Sequence, residues 1–209
     1  MYQKHSVFIK ISLFVMVLLL TACSGASEPS ASPETSTPVN EEVIIPEPET
    51  TPDVTRPKIE KFELMTGEGN QAHTATLHQG EGFSLYVFDK FTFDAAEGRL
   101  FLSSNPEYGV EIEALPANYD LTQLETKGKE ELEGFGEVSD YSGELVEHPL
   151  GSAELYLQAS SDKGIKDYIV WRSETGDAFL FRLHNPKGEE ASDFAGPVLV
   201  SLSTVQSDS

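Results

Sequence analysis

The chain has 209 residues, 35 of them Asp or Glu against 14 Lys or Arg, for a formal charge of −21 at pH 7. Charge of that sign excludes the basic footprint that nucleic-acid binding needs and opposes lying flat on an anionic membrane surface. A single cysteine, Cys23, excludes an internal disulfide framework and a thiolate metal cluster.

In chain order, Lys4 and Lys10 precede an apolar run at 11–20. That run is shorter than the ~20 apolar residues of a membrane span, and it suits the core of an export signal. Leu20, Thr21 and Ala22 then lead into Cys23. An aliphatic residue and two small ones before a cysteine resemble the bacterial lipoprotein signal, or lipobox. The resemblance implies that residues 1–22 are a signal peptide, cleaved between Ala22 and Cys23. It also implies that Cys23 is diacylated and holds the chain to the extracytoplasmic face of the cell membrane. Two acyl chains meet the requirement of two signals for stable anchoring. The competing reading, a one-pass anchor with Cys23 incidental, is opposed by the short run and by the lack of stop-transfer charges after it. Loss of Lys4 and Lys10 with the signal would take the charge from −21, by two, to −23.

Residues 23–57 are rich in Ser, Thr, Pro and Glu and contain no aromatic residue. Such a segment cannot bury enough apolar surface to offset its ordering entropy, so a disordered tether is expected. About 34 residues of flexible coil reach roughly 30–35 Å. Val43, Ile44 and Ile45 form its one apolar cluster, a candidate docking segment.

Residues 58–209 are enough for one domain with a core. Strands are expected at 58–65 and 72–78 around TGEGNQ, then at 83–88, 91–94, 100–103 and 109–115. In the last, Val110, Ile112 and Ala114 alternate with Glu111 and Glu113, the period of a sheet with one wet face. After Pro116 the period changes: Leu121, Leu124, Gly128, Leu132 and Phe135 line one face of a helix, with Asp120 and Gln123 as a relaxed capping box and Gly134 or Gly136 as its end. Strands at 153–160, 165–172 and 178–184, joined by SDKG and SETGD, make a meander. Ile169, Trp171 and Leu180 put apolar groups on its second face, so both faces of the sheet need a cover. Residues 189–205 predict a helix, kinked at Pro197 or starting near it, with a terminal strand over 198–200 as the rival.

This order of elements, with GFSLYVFDKFTF and RLFLSSNPEYGVEIEALP before the helix, resembles the Mog1/PsbP-like class of small α/β/α sandwiches and tethered lipoproteins of Bacillus-type bacteria. The likeness spans about residues 72–205. It implies an α+β fold, a mostly antiparallel sheet flanked by helices, in an accessory or binding protein of a larger assembly. The class carries no shared catalytic constellation to transfer.

The residues themselves offer little chemistry. His73, His78, His148 and His184 lack the spacing of a zinc set. There is no GxSxG elbow, and Ser142-Gly143 reads as a turn. TGEGN and HQGEG lack the lysine of a phosphate loop. EELEGFGE and NPKGEEASD lack the ligand alternation of an EF-hand, leaving at most weak surface calcium binding. Aromatics on strands read as core, and Tyr108, beside a turn, is the one expected to be exposed. No catalytic, metal-binding or cofactor-binding residue is assigned, and no cofactor is expected. The expectation is a non-enzymatic binding or accessory module with an envelope protein partner. The alternatives are an envelope hydrolase acting on wall polymers, or a small-molecule or metal-binding module.

Overall fold

Every residue of the stretch FSLYVF, Phe83–Phe88, is buried, and the architecture follows from what covers it. The computed structural model describes residues 56–66, 69–145 and 148–208. In chain order its elements are β1 (Ile59–Thr66), β2 (Gly69–Gln79), β3 (Phe83–Phe88), β4 (Phe91–Asp94), β5 (Arg99–Leu102), β6 (Asn105–Ala114), α1 (Leu121–Glu133), β7 (Glu137–Asp140), β8 (Leu155–Ser161), β9 (Gly164–Arg172), β10 (Ala178–Pro186), α2 (Ala191–Leu202) and β11 (Gln206–Ser207). They form two antiparallel sheets, a four-stranded one in the order β1-β2-β3-β11 and a seven-stranded one in the order β4-β5-β6-β10-β9-β8-β7.

The strands at the centre of the large sheet are apolar on both faces. Phe179, Phe181, Leu183, Ile169, Trp171 and Tyr156 belong to one core, which they share with Leu85, Phe88 and the α2 residues Phe194, Val198 and Leu202. Leu155, Leu157, Ala159, Tyr168, Val170 and Leu180 belong to a second core, closed by Leu132 of α1 with Leu121 and Leu124 beside it. Each such side chain contributes about 1.5–3 kcal/mol when fully buried. Helix α1 carries the chain from β6 to the far edge of the sheet and packs mainly on β7, β8 and β9. Its start is fixed by the Asp120 carboxylate, which accepts from the amides of Thr122 at 2.9 Å and Gln123 at 3.1 Å.

This arrangement corrects the expected α+β, α/β/α sandwich. The fold is β-rich: a helix covers one face of the large sheet, but the other is met by a second sheet together with α2. The cause lies in β3. It is buried at all six positions, so it cannot stand in a hairpin at the periphery, and β2 pairs along one edge while β11 takes the other through Gln206 opposite Ser84. Tyr108 is likewise corrected. It is buried, its ring 5.7 Å from that of Phe194.

Helix α2 runs through Pro197 without interruption, so the rival terminal strand over 198–200 is not formed. A proline there removes the amide that would bond the Asp193 carbonyl one turn back. Lys90, in the turn between β3 and β4, supplies the replacement, with Nζ 3.3 Å from that carbonyl oxygen.

Two positions test this packing. A Cβ on Gly128 of α1 would lie 2.6 Å from Cδ1 of the buried Tyr168 ring and 2.9 Å from Cδ1 of Leu157. Gly128→Ala is therefore expected to destabilise the domain by about 1–2 kcal/mol in denaturant unfolding, because overpacking outweighs the gain of roughly 1 kcal/mol in helix propensity. Asp167 on β9 is buried, its carboxylate accepting one bond from Gln158 Nε2 at 2.8 Å, and burial pushes its pKa up to about 6. Between about pH 4, where the unfolded carboxyl ionises, and pH 6, the folded chain holds a proton that the unfolded chain has released. Stability should fall as pH rises through that window and stay lower above it. Asp167→Asn is expected to remove this loss, gaining about 2–3 kcal/mol at pH 7.5 and little at pH 4, as read from urea unfolding at the two values.

Candidate functional site

Pairing register sets which side chains of the small sheet share a face. Residues opposite one another across an antiparallel pair point to the same side, and Leu77 pairs with Tyr86, Gln79 with Ser84, and Glu60 with Ala75. Glu60, Phe62, Leu77, Gln79, Ser84 and Tyr86 therefore share a face, and all six line one cleft of about 1160 Å³. Its opposing wall is Trp171 with Glu174 and Thr175 from the turn between β9 and β10, and residues 203–208 complete it.

Arg56 organises one end of this cleft. Its guanidinium donates to the Ser84 carbonyl at 3.2 Å, to Ser84 Oγ at 3.0 Å and to the Thr204 carbonyl at 2.7 Å, and lies 4.6 Å from the centre of the Tyr86 ring. Tyr86 is held at both ends. Its hydroxyl donates to the Pro57 carbonyl at 2.7 Å and its amide to Thr204 Oγ1 at 2.9 Å. Burial, with the Glu60 carboxylate beside it, raises the phenol pKa above its usual value, and Arg56 opposes that rise. The Phe62 ring lies 5.3 Å from that of Tyr86. Trp171 is 5% exposed, and its Nε1 is buried with no acceptor among the described residues. The cleft is thus ringed by aromatic groups, with Glu60, Glu174 and Asp208 against the single cation Arg56.

The histidines do not assemble with it. His148 packs edge-on to Tyr156, its Nδ1 accepting from the Leu150 amide at 3.1 Å, and burial lowers its pKa. His184 packs on Phe135 instead. Ser142 sits in the expected turn, its amide and hydroxyl both donating to Asp140 Oδ1, which holds that carboxyl below its usual range. Among the described residues no three His, Cys, Asp or Glu side chains converge as metal ligands, and no helix is long and apolar enough to cross a membrane. Cys23 and the residues before it, Leu20, Thr21 and Ala22, lie outside the described residues, as does the 43–45 cluster. The aromatics that line the cleft are Phe62, Tyr86 and Trp171, and Tyr108 is not among them. Phe62 and Tyr86 escape sequence reading because a strand aromatic is ordinarily core.

A domain of two antiparallel sheets sharing one core, with a cleft lined from Arg56 to Asp208, is a β-rich fold. The chain belongs to the family described as a domain of unknown function, DUF8580, whose model matches residues 56–206. That span opens on Arg56 and closes on Gln206, both of which line the cleft. A search of curated proteins gives no match.

Arg56→Ala should loosen this end of the domain. The loss of three hydrogen bonds and one ring contact at a half-buried site is expected to cost about 1–2 kcal/mol. The Tyr86 phenol should titrate at still higher pH once the opposing cation is gone, which ultraviolet difference titration reads directly.

Proposed function

We propose that the chain is a lipid-anchored module of the cell envelope that holds a partner in the cleft of its folded domain. Cleavage after Ala22 leaves Cys23 as the diacylated N-terminus, and the Ser/Thr/Pro/Glu-rich segment sets the domain off from a membrane surface that its negative charge repels. The observation that carries the reading is the lining of the cleft. Phe62, Tyr86 and Trp171 form its aromatic wall, Tyr86 and Trp171 almost wholly buried, while Glu60, Glu174 and Asp208 give it an acidic character. That combination suits an extended segment with aliphatic and cationic side chains, since cations are attracted to ring faces and to carboxylates alike. The Trp171 N–H, without an acceptor among the described residues, is a donor such a segment can satisfy if it opens the wall. No His or Cys lines the cleft among the described residues, and the reading is one of binding.

Crosslinking of the full chain on living cells tests this, with Cys23→Ala as the mislocalised control and Glu60→Gln/Glu174→Gln as the cleft variant. One dominant partner is expected from the wild type, absent with Cys23→Ala and several-fold weaker with the cleft variant. Association should slow as salt rises, because opposite charges steer the encounter. The same abundant neighbours in all three samples would overturn the proposal.

A further inference from the structure

On the α1 side of the large sheet, away from the residues that line the cleft, the strand register draws a second set of side chains together. Phe101 lies opposite Gly109, Gly109 opposite His184, and His184 opposite Lys166, a continuous row across β5, β6, β10 and β9. Gly109 leaves the middle of the row without a side chain. A Cβ there would come within 3.3 Å of the Leu100 carbonyl and of Phe101 Cβ, and within 3.5 Å of an Arg99 guanidinium nitrogen. Around the row opens a pocket of about 450 Å³ lined by Arg99, Lys163, Lys166, His184 and Glu107, with Phe135 and Pro186 as apolar walls. That volume falls in the range of small-molecule sites, roughly 300–1,000 Å³.

The charge of this pocket opposes that of the chain. Acidic residues outnumber basic ones 35 to 14, and three cations outside the pocket, Lys129, Arg172 and Arg182, are paired with them. Arg182 bonds Glu113 at 2.8 Å and Glu131 at 3.0 Å, and Arg172 bonds Glu154 at 2.9 Å. Among the described residues, Arg99, Lys163 and Lys166 form no ion pair. Arg99 donates to the Pro106 carbonyl at 2.7 Å and lies over Phe101, and the Lys166 ammonium lies 5.1 Å from the centre of the Phe135 ring. Three cations therefore face one carboxylate, Glu107. Burial lowers the His184 pKa, and Lys166 adds to the effect against a smaller opposing influence of Glu107.

We propose that this pocket binds a phosphate group carried by a small molecule. A phosphate monoester brings about −1.5 to −2 charges at neutral pH, which matches the surplus of two cations, and it offers several acceptor oxygens to Lys and Arg donors. Phe135 and Pro186 then flank the organic part of the ligand. Repulsion of so acidic a chain by anionic lipid favours a soluble phosphate ester over a membrane headgroup, the other source of the same chemistry.

The test is isothermal titration of the full chain in non-ionic detergent and phosphate-free buffer. Its probes are inorganic phosphate and glycerol 3-phosphate, with phosphatidylglycerol vesicles in a separate sedimentation arm. Saturable binding of glycerol 3-phosphate is expected, weakened at least tenfold by Lys163→Gln/Lys166→Gln at an unchanged unfolding midpoint. Lys163→Glu alone, in an exposed turn, serves as the second variant, with the same direction of change. Vesicle binding that depends on the two lysines, without binding of the soluble esters, would keep the phosphate chemistry and move its source to the headgroup. No binding in either arm, or binding indifferent to both variants, would overturn the proposal.

Discussion

Burial of β9 and β10 on both faces is the constraint on which the rest of the structure depends. Phe179 and Phe181 on one side, and Leu180, Tyr168 and Val170 on the other, are shielded from water almost completely. Leaving either face open would forfeit several such side chains, at about 1.5–3 kcal/mol each, against a total stability of only about 5–15 kcal/mol. Two covers are therefore obligatory, and the chain builds them differently. One is a single helix. The other is a sheet made from its N-terminal meander and its last strand, with α2 packed against it.

A single helix is a narrow cover. It is about 10 Å across, roughly two strand spacings, and α1 lies mainly over β7, β8 and β9. The same face continues over β5, β6 and the far part of β10, where, Phe101 apart, the side chains turn polar. Glu111, Glu113, Arg99, Arg182 and His184 stand there in place of leucines. Arg182 marks the boundary, joined to Glu131 of α1 on one side and Glu113 of β6 on the other. Beyond it, Arg99, Lys163 and Lys166 line the second pocket with His184 and Glu107. The polar half of the face is thus a consequence of how little of the sheet one helix can shield, and it is where a charged ligand can sit without disturbing the core.

Much of the strand order was legible because period two and turn residues agree locally. Residues 83–88 and 91–94 were placed to the residue, and α1 was anchored by Asp120 as its spacing predicts. The short strands β7 and β11 were not legible. EVSD carries one apolar residue and QS none, so neither has a period to read, and both exist only because an open edge of β8 or β3 accepts them. The fold class was misjudged for a related reason. Apolar residues on both faces of a strand announce that something covers each face, but not whether it is a helix or a sheet. The cleft was hidden because Phe62 and Tyr86 have the pattern of core residues, and only register reveals that they share a face with Glu60 and Ser84. The lysines at 163 and 166 are likewise ordinary in sequence; their meeting with Arg99 requires three separate strand pairings.

The clearest case of a local conflict resolved at a distance is Pro197. By its own chemistry it argues for a break in the last helix, and a break there would change the direction of everything after it. The helix nevertheless continues, and Lys90, more than one hundred residues earlier, donates to the carbonyl that the proline leaves without its helical partner. Continuity through Pro197 brings Val198 and Leu202 into the core on one side of the helix, a spacing of one turn. The chain then leaves α2 with Thr204 placed to accept the Tyr86 amide, and its carbonyl to accept from Arg56. Two residues later Gln206 pairs with Ser84. The wall of the cleft formed by residues 203–208 is thus set by the helix before it, whose course is fixed by the burial of Phe194, Val198 and Leu202.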